Sequence, residues 1–190
     1  MEDNKHSIQT YVSDMLALER HMHIPFETQL KDDDFNDFAN AKQLVSRLTS
    51  LSEKHIADLD SALKNMGGHA ASPIKSAVSQ FEGLVAGMID KARKTKVSKA
   101  LRDDYTALSL CTVSYTMLHA TASAMGETTV SALAQRHLED YAQCVMSIAE
   151  AMPQVVVEEL RAIGLNVDTN AITQSVEATQ LAWRRGAPAP

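Results

Sequence analysis

Between residues 16 and 27 the sequence LALERHMHIPFE brings two carboxylates, two histidines and a proline into an apolar-periodic run. Histidine nitrogen and carboxylate oxygen are ordinary ligands of transition metals, and on a helix Glu19 and His23 lie one turn apart on the same face. His21 is expected to face solvent. A metal centre in a helical bundle draws ligands from several helices at matching depth, so the partners of this segment must come from elsewhere in the chain. His55, in LSEKHIADLD, is the first candidate. Glu19 on an apolar stripe costs free energy unless it is paired or protonated, which predicts a Glu19–His55 hydrogen bond. The alternative is a metal ion held by Glu19 and His55, with His23 adding a nitrogen.

Other arrangements are sparser. A helical hairpin turning near Glu127 would put His119 level with His137, and Cys111 level with Cys144. Two level histidines could bind zinc or copper if a third ligand arrived from the first hairpin, or they could be unrelated core and surface residues. The thiols read as free and buried in a reducing cytoplasm, with a redox bridge as the alternative. Nothing supports nucleophilic catalysis: there is no Gly-flanked serine elbow, no phosphate-cradling glycine loop and no cysteine in an electropositive motif.

The elements that must position these residues are helices. Apolar residues recur at helical spacing throughout, and no strand-like alternation bounded by turns occurs. The first helix, Ile8 to Leu30, turns Val12, Met15, Leu16, Glu19, Met22, His23, Phe26 and Leu30 inward, and Pro25 should kink it. Asp34 or Asn36 supplies the next N-cap. The second helix, Asp37 to Met66, carries Leu44, Leu48, Leu51, His55, Leu59 and Leu63 on one stripe and stops at Gly67. Ser72-Pro73 opens a crossover helix over 73–94, ending in a basic run that reads as a solvated helix end. A helix from Ser98 to Met125 then meets one beginning just after Gly126, and Pro153 marks its boundary. Two shorter segments follow, Gln154 to Ile163 and Asn170 to Arg184, before a disordered tail over 185–190.

Connection lengths give the topology: two antiparallel hairpins joined by a long helical crossover, the ferritin-like arrangement of a four-helix bundle. The fold class is therefore all-α, with the bundle and crossover over 1–152 and additional C-terminal helices over 153–184. The formal net charge of −6 argues against a nucleic-acid binder. No apolar stretch approaches the roughly 18 residues that span a bilayer, and the polar start MEDNKHSIQTY is unlike a signal peptide, so no membrane partner and a cytoplasmic location are expected.

Four motifs, in order, also resemble a known family. SDMLALER (13–20), LSEKHIADLD (51–60), FEGLV (81–85) and SYTMLHATASAMG (114–126) are similar to the recurring segments of the YciE/YciF type of ferritin-like bacterial stress proteins. The resemblance implies a homodimer and a dinuclear iron centre, built from a glutamate on the first helix, E-x-x-H on the second, and the corresponding set on the other hairpin. Carried over residue by residue, Glu19 and His55 match. Ser52 stands three residues before His55 where the pattern has glutamate, and Glu53 points about 100° away. On the second hairpin the carboxylate positions fall at Leu108 or Cys111, at Tyr141 and at Val145. An apolar or phenolic lining cannot hold two divalent ions. The expectation is thus a non-enzymatic structural or stress-associated protein with no cofactor, its di-iron site degenerate. The alternative is a reduced site around Glu19 and His55 that binds iron or another divalent metal for iron oxidation, storage or peroxide chemistry. A third possibility is a partner-binding module using the C-terminal helices.

Overall fold

The computed structural model describes residues 2–68 and 96–186, and over these the chain is an all-α helical bundle without strands. Helix α1 spans Glu2–Leu30 and α2 spans Ala39–Asn65, joined by a 3-10 turn at Asp33–Phe35. Helix α3 spans Val97–Ala124, α4 spans Thr128–Ala162 and α5 spans Asn170–Gly186. The crossover helix expected over 73–94 lies outside the described residues.

Helices α1 and α2 pack as one hairpin and α3 and α4 as the other, with α1 against α3 and α2 against α4. Side-chain pairs fix the directions. Gln9 reaches the Met66 carbonyl while His23 meets Ser52, so α1 and α2 are antiparallel. Glu19 meets Tyr115 and Gln29 meets Asp104, so α1 and α3 are antiparallel too. Helices α2 and α3 therefore run parallel, and α3 begins at the end of the bundle opposite to where α2 stops.

The core is the set of stripes read from periodicity. Val12, Leu16, Phe26, Leu48, Leu59 and Leu118 are all fully or nearly fully buried. Burying each such side chain contributes roughly 1.5–3 kcal/mol, which is the main force holding the helices together. Gly67 and Gly126 end α2 and α3 with φ of 74° and 76°, a left-handed conformation that glycine adopts without a Cβ clash. At each stop the next residue's amide reaches back to the last turn, Gly68 to Leu63 and Glu127 to Ala122, both at 2.9 Å.

Several boundaries differ from expectation, beginning with α1, which starts at Glu2 and not at Ile8. Helix α4 runs through Pro153 to Ala162, so the helix boundary expected at Pro153 does not occur. The proline costs α4 one amide donor, but the continuation buries Val155 and Val157. It also carries Glu159, whose Oε1 accepts from the Val97 and Ser98 amides at 2.8 and 3.2 Å and caps α3. Neither Asp34 nor Asn36 caps α2: Phe38 holds that position without a side-chain bond, and Asp32 caps the 3-10 turn instead. Residues 185 and 186, expected in a disordered tail, end α5 as helix. Helix α1 likewise continues through Pro25. No described helix is long and apolar enough to cross a membrane.

Candidate functional site

Halfway along the bundle, all four long helices contribute to one buried polar cluster. Glu19 from α1 is fully buried, and each of its oxygens is occupied. Oε1 accepts from the Tyr115 hydroxyl of α3 at 2.5 Å and contacts His55 Nδ1 of α2 at 3.1 Å. Oε2 accepts from the Tyr141 hydroxyl of α4 at 2.5 Å. Charge-assisted O–H···O bonds are this short because an anion strengthens them, and two hydroxyl donors with the His55 imidazole beside them offset the cost of burying the carboxylate.

The histidines extend the cluster in two symmetrical arms. His55 and His137 are both fully buried, with ring centroids 3.8 Å apart and planes 13° from parallel. The outer nitrogen of His55 meets Asp140 at 3.2 Å, and that of His137 meets Asp58 at 3.2 Å. Each aspartate lies three residues after its own helix's histidine and bonds the histidine of the other helix, so His55-x-x-Asp58 and His137-x-x-Asp140 embrace reciprocally. The inner nitrogen of His137 meets the Tyr115 hydroxyl at 3.0 Å. With the Tyr115 proton committed to Glu19, the phenolic oxygen offers His137 Nδ1 a lone pair, and the single N–H of the neutral imidazole serves either this oxygen or Asp58, not both. The outcome is a chain from Asp140 through His55, Glu19, Tyr115 and His137 to Asp58, whose two ends are partly exposed.

Electrostatics follow from burial. Both phenols are pushed well above their usual range, first by loss of water and then by the Glu19 charge. Burial and the adjacent His55 lower His137 to about 4, against the pull of Asp58. Cys111 is raised by burial and by Glu19, so its thiol is a poor nucleophile.

Of the residues read from sequence, Glu19 and His55 come together as predicted. His23 does not join them: its Nδ1 meets Ser52 Oγ at 2.7 Å, and its Nε2 lies 3.8 Å from Glu27. The Ser52–His23–Glu27 row resembles a nucleophile relay, but Ser52 is fully buried within α2 and its hydroxyl is within bonding distance of the Thr49 carbonyl. His21 is partly buried instead of facing solvent. His119 and His137 have separate partners, His119 contacting Ser131. Both cysteines are free and buried.

On the second hairpin, Leu108, Cys111 and Val145 make no hydrogen bond in the cluster; Tyr115, His137 and Tyr141 supply it instead. The repeated His-x-x-Asp was the signal in the sequence that could have located this register. In a dinuclear carboxylate centre the four helices supply two glutamates and two Glu-x-x-His pairs. Here the histidines are present, but Ser52 and Ala134 stand three residues before them and Tyr115 stands opposite Glu19. One carboxylate faces inward where such a centre uses four, and the residues do not fit two metal ions. Among the described residues, no group of three or more His, Cys, Asp or Glu is placed to hold an ion.

No family model matches the sequence. No curated protein matches it either. A crystal structure of a protein from Xanthomonas campestris pv. campestris is similar in fold, with a TM-score of 0.68 over 86% of this chain and 99% of that one, at 16% sequence identity.

Proposed function

We propose that this chain is a non-enzymatic ferritin-like bundle protein, akin to the YciE/YciF-type stress proteins, cytoplasmic and homodimeric, whose two-metal centre has been replaced by a hydrogen-bonded polar core. The observation that carries this reading is the donor set around Glu19. Two phenols and an imidazole take up its oxygens, and serine, alanine and tyrosine occupy the positions where three further carboxylates would neutralise and bridge two cations. The parallel run of α2 and α3 supports the ferritin-like topology, because it requires a connection that returns along the bundle. A buried cluster with every inward oxygen engaged has no exchangeable position for a substrate.

The test is elemental analysis of untagged protein before and after incubation with ferrous iron under nitrogen, with thermal melts in the presence and absence of a chelator. Substoichiometric metal and unchanged melts are expected. Two ions per chain would overturn the reading.

One feature favours a second reading, a single ion held by Glu19 and His55. Metal-bound histidines usually donate their other nitrogen to a carboxylate, as His55 is placed to do toward Asp140. One equivalent of metal, lost in both Glu19→Ala and His55→Ala, would establish it.

A further inference from the structure

Helix α3 has an outer face unlike any other in the described bundle. From Tyr105 to Gly126 the sequence contains no Asp, Glu, Lys or Arg. Thr106, Leu110, Val113, Met117, Ala120 and Ala124 follow one another at alternating steps of four and three, the spacing of a coiled-coil seam. This stripe lies opposite the buried Leu108, Cys111, Tyr115 and Leu118; Val113 and Met117 are 60% and 54% exposed, while Leu110 is partly buried against the bundle's own core. A solvated helix face ordinarily carries charge, as the outer faces of α2 and α4 do through Lys54, Arg136 and Glu139.

The stripe is complementary to itself. In an antiparallel pair centred at the level of Tyr115, Val113 of each copy lies opposite Met117 of its partner, Leu110 opposite Ala120, and Thr106 opposite Ala124. Large residues therefore meet small ones along about 27 Å of helix. The same register sets Arg102, which is 59% exposed and also bonds its neighbour Asp103, close to the exposed Glu127 just beyond the other end of the partner's seam, and it does so twice. Opposite charges at both ends with none between is the pattern that selects an antiparallel two-fold over other pairings.

We propose that α3 is the homodimer interface, with a second copy of this chain packed antiparallel along Thr106–Ala124 and closed by reciprocal Arg102–Glu127 pairs. The assignment rests on the homodimeric reading above and adds its surface and register. A single helix seam lies at the small end of stable interfaces, so the dimer dissociates on dilution.

Sedimentation velocity of the full chain over a dilution series tests this. Wild type is expected to be dimeric at high concentration, and Val113→Lys/Met117→Lys to raise Kd by on the order of a hundredfold. Ile24→Lys, at a site 62% exposed on α1, should leave it unchanged. Arg102→Glu and Glu127→Arg should each weaken the dimer, and together restore it. A wild-type monomer at every concentration overturns both the dimer and this interface. A dimer that survives Val113→Lys/Met117→Lys with its helical signal intact overturns the interface alone, and failure of the double charge reversal to restore association overturns the register.

Discussion

Replacing Tyr141 or Tyr115 by Phe removes one oxygen atom from the centre of the bundle and leaves the ring in place, so no cavity contributes and the loss is that of hydrogen bonds alone. Tyr141→Phe strips Glu19 Oε2 of the donor it has in the structure. A bond to a charged group is worth about 1.5–3 kcal/mol, and leaving a buried acceptor bare puts the cost in the upper part of that range. Tyr115→Phe leaves Oε1 its contact with His55 but also deprives His137 Nδ1 of its partner, so the two losses should be similar, each about 2–3 kcal/mol.

For a chain of this size each kcal/mol lowers Tm by about 2–4 °C, which predicts a fall of roughly 4–12 °C for either variant. Urea unfolding followed by far-UV circular dichroism gives the free energies directly. Tyr105→Phe is the control, because this half-buried phenol has no hydrogen bond to the cluster, and its change should stay within about 0.5 kcal/mol. If Tyr115→Phe and Tyr141→Phe are as mild as Tyr105→Phe, Glu19 does not depend on these phenols and the account of the site fails.

Two further expectations concern buried carboxyls away from this cluster. Asp104 accepts from Gln29 Nε2 at 2.8 Å, while its other oxygen and Gln29 Oε1 are buried without partners, so a proton on Asp104 would satisfy both. Burial raises Asp104 from 3.8 to about 7; the folded state thus holds a proton that the unfolded state has released, and stability falls as pH rises across that window. Asp104→Asn, which supplies the missing donor permanently, should stabilise the protein by up to about 4 kcal/mol at pH 8 and by little at pH 4, measured by urea unfolding; equal effects at both pH values would refute the assignment. Glu159→Ala should cost about 1–2 kcal/mol through loss of the α3 cap, and Glu159→Gln less, because its carbonyl can still accept the Val97 amide; thermal melts that rank them otherwise would rule out the cap.

The helices and their inward stripes were legible in the sequence because periodicity is set by which residues the core must bury. Gly67 and Gly126 were legible as stops because few residues other than glycine adopt the left-handed backbone there without strain. Pro153 misled because local chemistry gives only the cost of a proline. The compensation, burial of Val155 and Val157 and the Glu159 cap on a helix more than fifty residues earlier, is tertiary. The Glu19–His55 pair was legible because an apolar stripe cannot leave a carboxylate unpartnered. Tyr141 was legible as a phenol standing at a carboxylate position; the continuation into Tyr115 and His137 was not, because a metal-ligand pattern looks for acids one turn away from them.

What this composition does for the fold follows from where the bonds run. Of the six contacts in the cluster, His55–Glu19 lies within the first hairpin and Tyr115–His137 within the second. The other four, Tyr115–Glu19, Tyr141–Glu19, His55–Asp140 and His137–Asp58, cross between hairpins. Leucine and alanine stripes tolerate a slip of one turn, because one apolar surface packs on another nearly as well. A slip of α4 along α2 would pull Asp140 from His55 and His137 from Asp58 at once and leave two imidazoles buried without their outer partners. Each such loss costs about 1–3 kcal/mol, while docking in register loses none of them. Two metal ions would lock four helices in the same way, by requiring ligands from each at one depth. The polar core here imposes that depth through hydrogen bonds, with one inward carboxylate where a dinuclear centre uses four.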